Sequence, residues 1–421
     1  MRRLCLLALG ALIGLVLTAA VFVAAVLSLV RATPGVWSEP VRIGAWHMDV
    51  GVPAALRMAT HPVVMRAAQH RVWATPYGPI RLHAGAQADT WALLCSPCRV
   101  PVSQRDAQHI ELSRVELIAH RVAQNEWQGD FVLGESARAV RGRFKASFDD
   151  RGAELRFILP DTPIAHVYQL FAKVIPEVSK AQIDGRVRLN ATVRLPRRVV
   201  IVDPVVDGFS VAGLGTEALM NAAPSCEAPG RGFGSWLPRA VVAAEDQRFY
   251  EHAGYDIKEI AAALTQGLPA ADAPRGASTI TQQLAKLLYT GDSRTHVRKL
   301  RELLYAVELD RTLGKARVLN LYLAMAPWGD GQCGAAAAAR HYLHKRVDKL
   351  TPMEAAWLAS LLHNPDRDWA AYSRSGQVDV KRVAWVISNL RPMGASNRES
   401  LIDSLPQWRP DLKADAKTAP R

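Results

Sequence analysis

At 421 residues with 49% hydrophobic content, the chain is long enough for two or three domains and too apolar to be a disordered protein. Its net charge of +13 favours anionic partners such as acidic phospholipid or a pyrophosphate-bearing substrate. Nucleic acid is excluded from the expected partners by the way the chain begins. Leu4 to Val30 carries no charge and is mostly Leu, Ala and Val, longer than the roughly 20 residues that cross a bilayer as a helix. Its apolar part exceeds the core of a signal peptide and no small-x-small cleavage site follows, so residues 1–33 are expected to be a cytoplasmic stub and an uncleaved transmembrane helix. Arg2 and Arg3 precede the run and Arg31 closes it, which puts the N-terminus in the cytoplasm. The expectation is a single-pass protein of the inner membrane with its bulk on the periplasmic side.

Residues 34–223 read as an antiparallel, β-rich extracytoplasmic domain of unknown role. Arg186 to Leu195 alternates polar and apolar residues almost strictly, as a half-buried strand does. Arg143 to Phe148 and Ala153 to Leu159, joined by Asp149 to Gly152, read as a hairpin, and Ile110 to Val122 is a further alternating run. Ile164 to Val174 is a helical candidate among the strands. The histidines here have no ligand spacing, so no metal site is expected. Cys95 and Cys98 form a CSPC pair able to close a small disulfide in an oxidising compartment. Whether Cys226 and Cys333 pair is left open.

A turn-rich linker spans 224–234, and beyond it the apolar period changes from two to about 3.6. Pro238 suits the first turn of a helix running to about Tyr250. Asp256 and Glu259 make a capping pattern before the next helix, which Gly267 can stop. A loop from Leu268 to Arg275 precedes Ser278 or Thr279, either of which can cap the helix that follows. A long helix over Thr295 to Leu313 ends at Gly314, and another covers Lys315 to Met325. Thr351, Pro352 and Glu354 open a further helix. After Pro365 one more is expected over Asp379 to Leu390, with a short one near Glu399. A domain over 235–395 is therefore mainly α, and 396–421 is a C-terminal tail.

Chemistry-bearing residues crowd between Ala240 and Lys345 in five blocks: EDQRFYEHAG (Glu245 to Gly254), GASTITQQLAK (Gly276 to Lys286), RKLRE (Arg298 to Glu302), KARVLNLYLA (Lys315 to Ala324) and GDGQCGAAAAARHYLHK (Gly329 to Lys345). In this order and with these gaps they resemble glycosyltransferase family 51, the peptidoglycan glycosyltransferases that polymerise lipid II in cell wall biogenesis. The resemblance implies a lysozyme-like helical fold. No second enzymatic domain fits after Pro365, so it is closest to the monofunctional transglycosylases.

Glycosyl transfer from a lipid pyrophosphate needs a base for the acceptor hydroxyl and cations for the leaving pyrophosphate. The resemblance puts the base at Glu245, a helix carboxylate whose pKa apolar packing raises, and the second essential carboxylate at Glu302. It implies Lys286, Arg298 and Lys299 as pyrophosphate cations. Asp246, Phe249, His252, Ser278, Thr279, Gln282 and Gln283 are expected around the substrate, with Gln282 and Lys286 sharing a helix face at i and i+4. No obligatory cofactor is implied, and a divalent cation, Mg or Mn, at the pyrophosphate stays open. Lipid II, the growing glycan strand, the membrane and other cell wall synthesis proteins are the expected partners. Three positions depart from the family pattern: Leu287, Asn320 and Ala324. They keep an inactive, envelope-binding relative as the alternative reading, and a hydrolytic lytic enzyme as a third.

Overall fold

A computed structural model of the chain describes residues 28, 31–43, 46–85, 87, 89–101, 109–197, 199–221, 223, 226, 230–265, 278–293 and 295–410. The expected anchor apart from Ser28, the loop from Leu268 to Arg275, most of the linker at 224–234 and the end of the tail lie outside the described residues. Among the described residues no helix is long and apolar enough to cross a membrane.

The chain is multidomain, an antiparallel sheet half followed by a helical half. Strands β1 (Ser38–Ile43) and β2 (Trp46–Gly51) form a hairpin, followed by α1 (Val52–Ala59) and α2 (Pro62–Ala68). Next come β3 (Val72–Thr75), β4 (Gly78–Ala84), β5 (Thr90–Cys95), β6 (Cys98–Pro101), β7 (His109–Leu112), β8 (Val115–Ala123) and β9 (Glu126–Leu133). They are followed by β10 (Val140–Phe148), β11 (Ala153–Pro163), α3 (Ile164–Gln169), β12 (Gln182–Leu195) and β13 (Val199–Ala212). Nine of these strands make one sheet in the order β13-β12-β11-β10-β9-β8-β5-β4-β3, while β6 and β7 pair apart. Apart from the β6–β7 excursion between β5 and β8 and the α3 segment between β11 and β12, each strand neighbours the next along the chain, so the sheet is a meander with two excursions.

The expected hairpin is β10–β11: Phe148 pairs with Ala153, and the Asp149 carboxylate accepts the Arg151 and Gly152 N–H groups at 2.7 and 2.9 Å. The run from Ile110 to Val122 is in fact two strands in different sheets. A Cys95–Cys98 disulfide turns the chain from β5 into β6, which draws β7 away from β8. The break is marked by two successive polar residues, Ser113 and Arg114, across which the apolar positions change phase. The helix expected to reach Val174 stops at Gln169 and continues as tighter turns.

The helical half comprises α4 (Trp236–Glu245), α5 (Ile257–Leu264), α6 (Ile280–Ala285) with a π-helical turn over Lys286–Thr290, and α7 (His296–Met325), bent at Gly314 where φ is 71°. Then follow α8 (Ala335–Leu343), α9 (Pro352–Ser360), α10 (Pro365–Ser375), α11 (Val380–Ser388) and α12 (Ala395–Ser404). Two expectations need correction. The first helix ends at Glu245 and not near Tyr250, because Asp246 leaves helical geometry at φ −160°. Helix α10 was not expected: PDRDWAAYSRS is too polar to show a strong apolar period, although Asn364 caps it and Pro365 opens it.

Among the described residues two cores hold the molecule. The larger lies within the helical half around Phe249, Tyr322, Trp328, Tyr342 and Trp357. The second joins Ile164, Tyr168, Ile175, Ile183, Phe209 and Val211 of the sheet half to Leu304 and Val307 of α7. Polar contacts reinforce it: the buried Glu177 carboxylate accepts from Arg301 and the Tyr305 hydroxyl, Tyr168 donates to the Leu300 carbonyl at 3.2 Å, and the Leu214 N–H donates to Glu308 at 2.9 Å. A Cys226–Cys333 disulfide ties the segment before α4 to the loop before α8.

Candidate active site

Leu237, Ala240, Val241 and Ala244 put the buried stripe of α4 at helical spacing, and Glu245, the last residue, follows it inward. Its side chain is 11% exposed. Oε2 accepts the Gln283 amide at 3.0 Å and Oε1 accepts Arg382 Nη2 at 3.2 Å. Burial holds the Glu245 carboxyl above the usual range, helped by the Asp246 charge and opposed by the Gln283 bond and Arg382. Gln283 is itself fixed, its oxygen accepting the buried Tyr322 hydroxyl at 2.7 Å.

Helix α6 carries Gln283 and is held at its start by a capping box. The Thr279 hydroxyl oxygen accepts the Gln282 N–H at 3.1 Å, and the Gln282 side-chain oxygen accepts the Thr279 N–H at 3.0 Å. Thr279 also donates to the Gly254 carbonyl at 2.7 Å. The Asp246 carboxylate accepts the Ile280 N–H at 3.0 Å and the His252 Nε2–H at 2.9 Å. Gly254 closes the arrangement: its φ is +81°, and a Cβ there would stand 2.4 Å from the Ala306 carbonyl of α7.

The cations gather at the first turns of α7, which Thr295 caps by accepting the Arg298 N–H at 3.1 Å. Glu302, 2% exposed, accepts from both Arg298 and Lys299. Lys299 Nζ also donates to the Ser278 hydroxyl at 2.6 Å. Burial pulls the Lys299 ammonium below the usual lysine range, against the opposing pull of Glu302. Lys286 pairs with Asp292 at 2.6 Å, and that bond lowers the carboxyl of Asp292, whose side chain is otherwise in solvent. Glu245 is thus bound through Gln283, and Glu302 through Lys299 and Ser278, to the same short segment. Two cations over one carboxylate leave positive charge there to meet an anion.

Several residues expected at the substrate stand behind the site. Phe249 is fully buried in the larger core with the Lys315 ammonium 4.6 Å from its ring centre. Asp246, His252 and Thr279 are spent on the contacts just described. The expected shared face of Gln282 and Lys286 is a correction: Gln282 is 1% exposed and its amide folds back to cap α6. Thr281 is buried and donates to Asp310. Of the departures from the family pattern, Leu287 is 39% exposed, Asn320 is on the surface and Ala324 is in the core. Arg382 and Tyr322 were missed. Arg382 lies 137 residues from Glu245 with no local signal, and Tyr322, although inside the KARVLNLYLA block, carries neither the charge nor the base that the chemistry was searched for.

The donor set does not fit a divalent ion held by protein side chains. Both oxygens of Glu302 and of Glu245 are committed to cationic or amide donors, and among the described residues no three His, Cys, Asp or Glu side chains gather.

Residues 228–391 match the family model described as Transglycosylase. Relatives named biosynthetic peptidoglycan transglycosylase, from Shigella boydii, Shigella sonnei and Escherichia coli K12, are 43% identical to the chain over 159 residues. That stretch covers 38% of this chain and 65% of each relative. Glu245, the α7 cations, Glu302 and Arg382 all fall inside the matched segment, which begins after the sheet half has ended.

Proposed function

We propose that the chain is a membrane-anchored, monofunctional peptidoglycan glycosyltransferase that polymerises lipid II on the periplasmic side of the inner membrane. One observation carries the reading: a buried carboxylate with a raised pKa and a surplus of fixed cations hold opposite ends of one short segment. Glu245 takes the proton from the sugar hydroxyl of the incoming lipid II. The freed oxygen attacks the anomeric carbon of the growing glycan, a new C–O bond forms, and the bond to undecaprenyl pyrophosphate breaks with inversion. The electron pair leaves on the pyrophosphate, where Arg298, Lys299 and Lys286 lower the barrier by charge-assisted bonds. Glu302 keeps Arg298 and Lys299 at a fixed spacing. The apolar Leu4 to Val30 run confines enzyme and lipid substrate to one plane.

The test is polymerisation of purified lipid II by the full chain beside Glu245→Gln. A general base contributes roughly 10²–10⁴-fold, so the variant is expected to lose at least that factor while still binding donor. Equal polymer yields from parent and variant would sink the assignment. Cleavage of finished peptidoglycan without synthesis would replace it with a hydrolytic one.

A further inference from the structure

Glu177 is a buried carboxylate of the sheet half that the mechanism above leaves unused. It lies before residue 228, where the family match begins. Arg301 Nε donates to both its oxygens, at 2.9 and 3.0 Å, and Arg301 Nη2 donates to Oε1 at 2.5 Å. The Tyr305 hydroxyl donates to the same Oε1 at 3.3 Å. One carboxylate thus grips α7 at two positions a turn apart, through a planar guanidinium fork and a hydroxyl. A helix is rigid over such a length, so a clamp on this face fixes the heading of the opposite one, where Arg298, Lys299 and Glu302 meet Ser278.

Tyr305 also reaches the third cation. Its ring lies on that of Tyr289, with centroids 4.1 Å apart and planes 2° from parallel. Tyr289 belongs to the π-helical turn Lys286–Thr290, which the Gly291 N–H closes by donating to the Lys286 carbonyl at 3.0 Å. Such turns are rare and frequent at functional sites, and this one begins with Lys286. The charges of Lys286 and Arg298 both act on the Lys299 ammonium, so the three cations share one field. Cations on two elements hold one diphosphate well only at a fixed spacing. The Tyr289–Tyr305 stack joins the two elements in a preferred aromatic geometry, and Glu177 anchors one of its rings. We propose that Glu177 is a positioning residue for pyrophosphate binding: by clamping α7 at Arg301 and Tyr305, and through the stack on Tyr289, it sets how Lys286 stands to Arg298 and Lys299. The inference rests on the glycosyltransferase reading above and gives the sheet half a part in it.

The experiment titrates the full chain in detergent with inorganic pyrophosphate by calorimetry, at a temperature where thermal denaturation shows each variant folded. Glu177→Ala is expected to weaken binding roughly tenfold, a coupling of the size that packed and hydrogen-bonded networks carry. Glu177→Gln keeps an acceptor oxygen for Arg301 and Tyr305 and is expected to recover most of the affinity. Tyr289→Leu leaves the Glu177–Arg301 pair intact and removes the stack. It is expected to weaken binding as well, and it decides the matter if Glu177→Ala does not fold. Val211→Ala trims a side chain of the second core that takes no part in the Glu177 contacts, and is expected to leave binding unchanged. Parent affinity in folded Glu177→Ala or in Tyr289→Leu overturns the proposal. So does an equal loss in Val211→Ala, because Glu177 then only stabilises the fold. A parent that binds pyrophosphate no better than Arg298→Ala sinks the cation assignment and this proposal together. A parent that binds it and polymerises no lipid II overturns the glycosyltransferase reading alone.

Discussion

Two buried glutamates in the same domain have opposite surroundings. Glu302 is clasped by two cations, whereas Glu245 faces one amide and one guanidinium in a mostly apolar setting. The base proposed at Glu245 acts only when deprotonated, so activity should fall as pH drops through its raised folded pKa, above the ordinary glutamate value of about 4.3. Arg382 opposes that rise, and Arg382→Gln is therefore expected to move the acid limb of kcat/KM to higher pH. A limb that stays in place in a pH-rate profile would contradict the role given to Glu245. The carboxylate proposed as the base was legible as a candidate, since EDQRFYEHAG is a recognisable string. Its tuning partner was not, because a single arginine in an amphipathic helix looks like any solvated one.

At the scale of elements, α7 works with two faces. Arg298, Lys299 and Glu302 turn to Ser278, while Leu300, Arg301, Leu304 and Tyr305 turn to the sheet half. Glu177 is the polar centre of the second face. Burial raises its pKa, but the Arg301 hydrogen bonds, a backbone hydrogen bond, the Arg301 charge and, least, the Tyr305 hydroxyl together more than offset this and hold it below the usual range. Breaking a buried pair costs roughly 3 kcal/mol or more, and Arg301, 30% exposed, places the expected loss in Glu177→Ala at the low end. A depressed carboxylate contributes stability above its unfolded pKa that is lost as pH falls through the folded one. Urea unfolding should therefore separate variant and parent most at neutral pH and bring them together in acid. Parallel curves across pH would count against the pair. In the same way Thr279→Ala should cost about 1 kcal/mol by removing the α6 cap.

At the scale of the whole molecule, the helical half does not stand apart from the sheet half. Leu304 and Val307 complete a core whose other members all precede residue 212. A chain beginning at Gly230 would expose that surface and leave Arg301 without Glu177. It is expected to unfold without cooperativity, or at a markedly lower Tm, in calorimetry, and a Tm equal to that of the full chain would show the helical half to be self-sufficient.

What the sequence determined by itself was everything carried by short spacing. The period of two or 3.6, the caps at Thr279 and Thr351, the stop at Gly314 and the turn at Asp149 to Gly152 are dictated by backbone geometry within a few residues. The five blocks were visible because their residues lie close along the chain. Tertiary structure decided which of those residues look into the site and which hold it from behind. Gln282 and Phe249 went behind, and Arg382 came in from 137 residues away. It also decided that the sheet half grips α7. Such contacts join residues far apart in sequence, and no local pattern records which apolar or charged face will meet which.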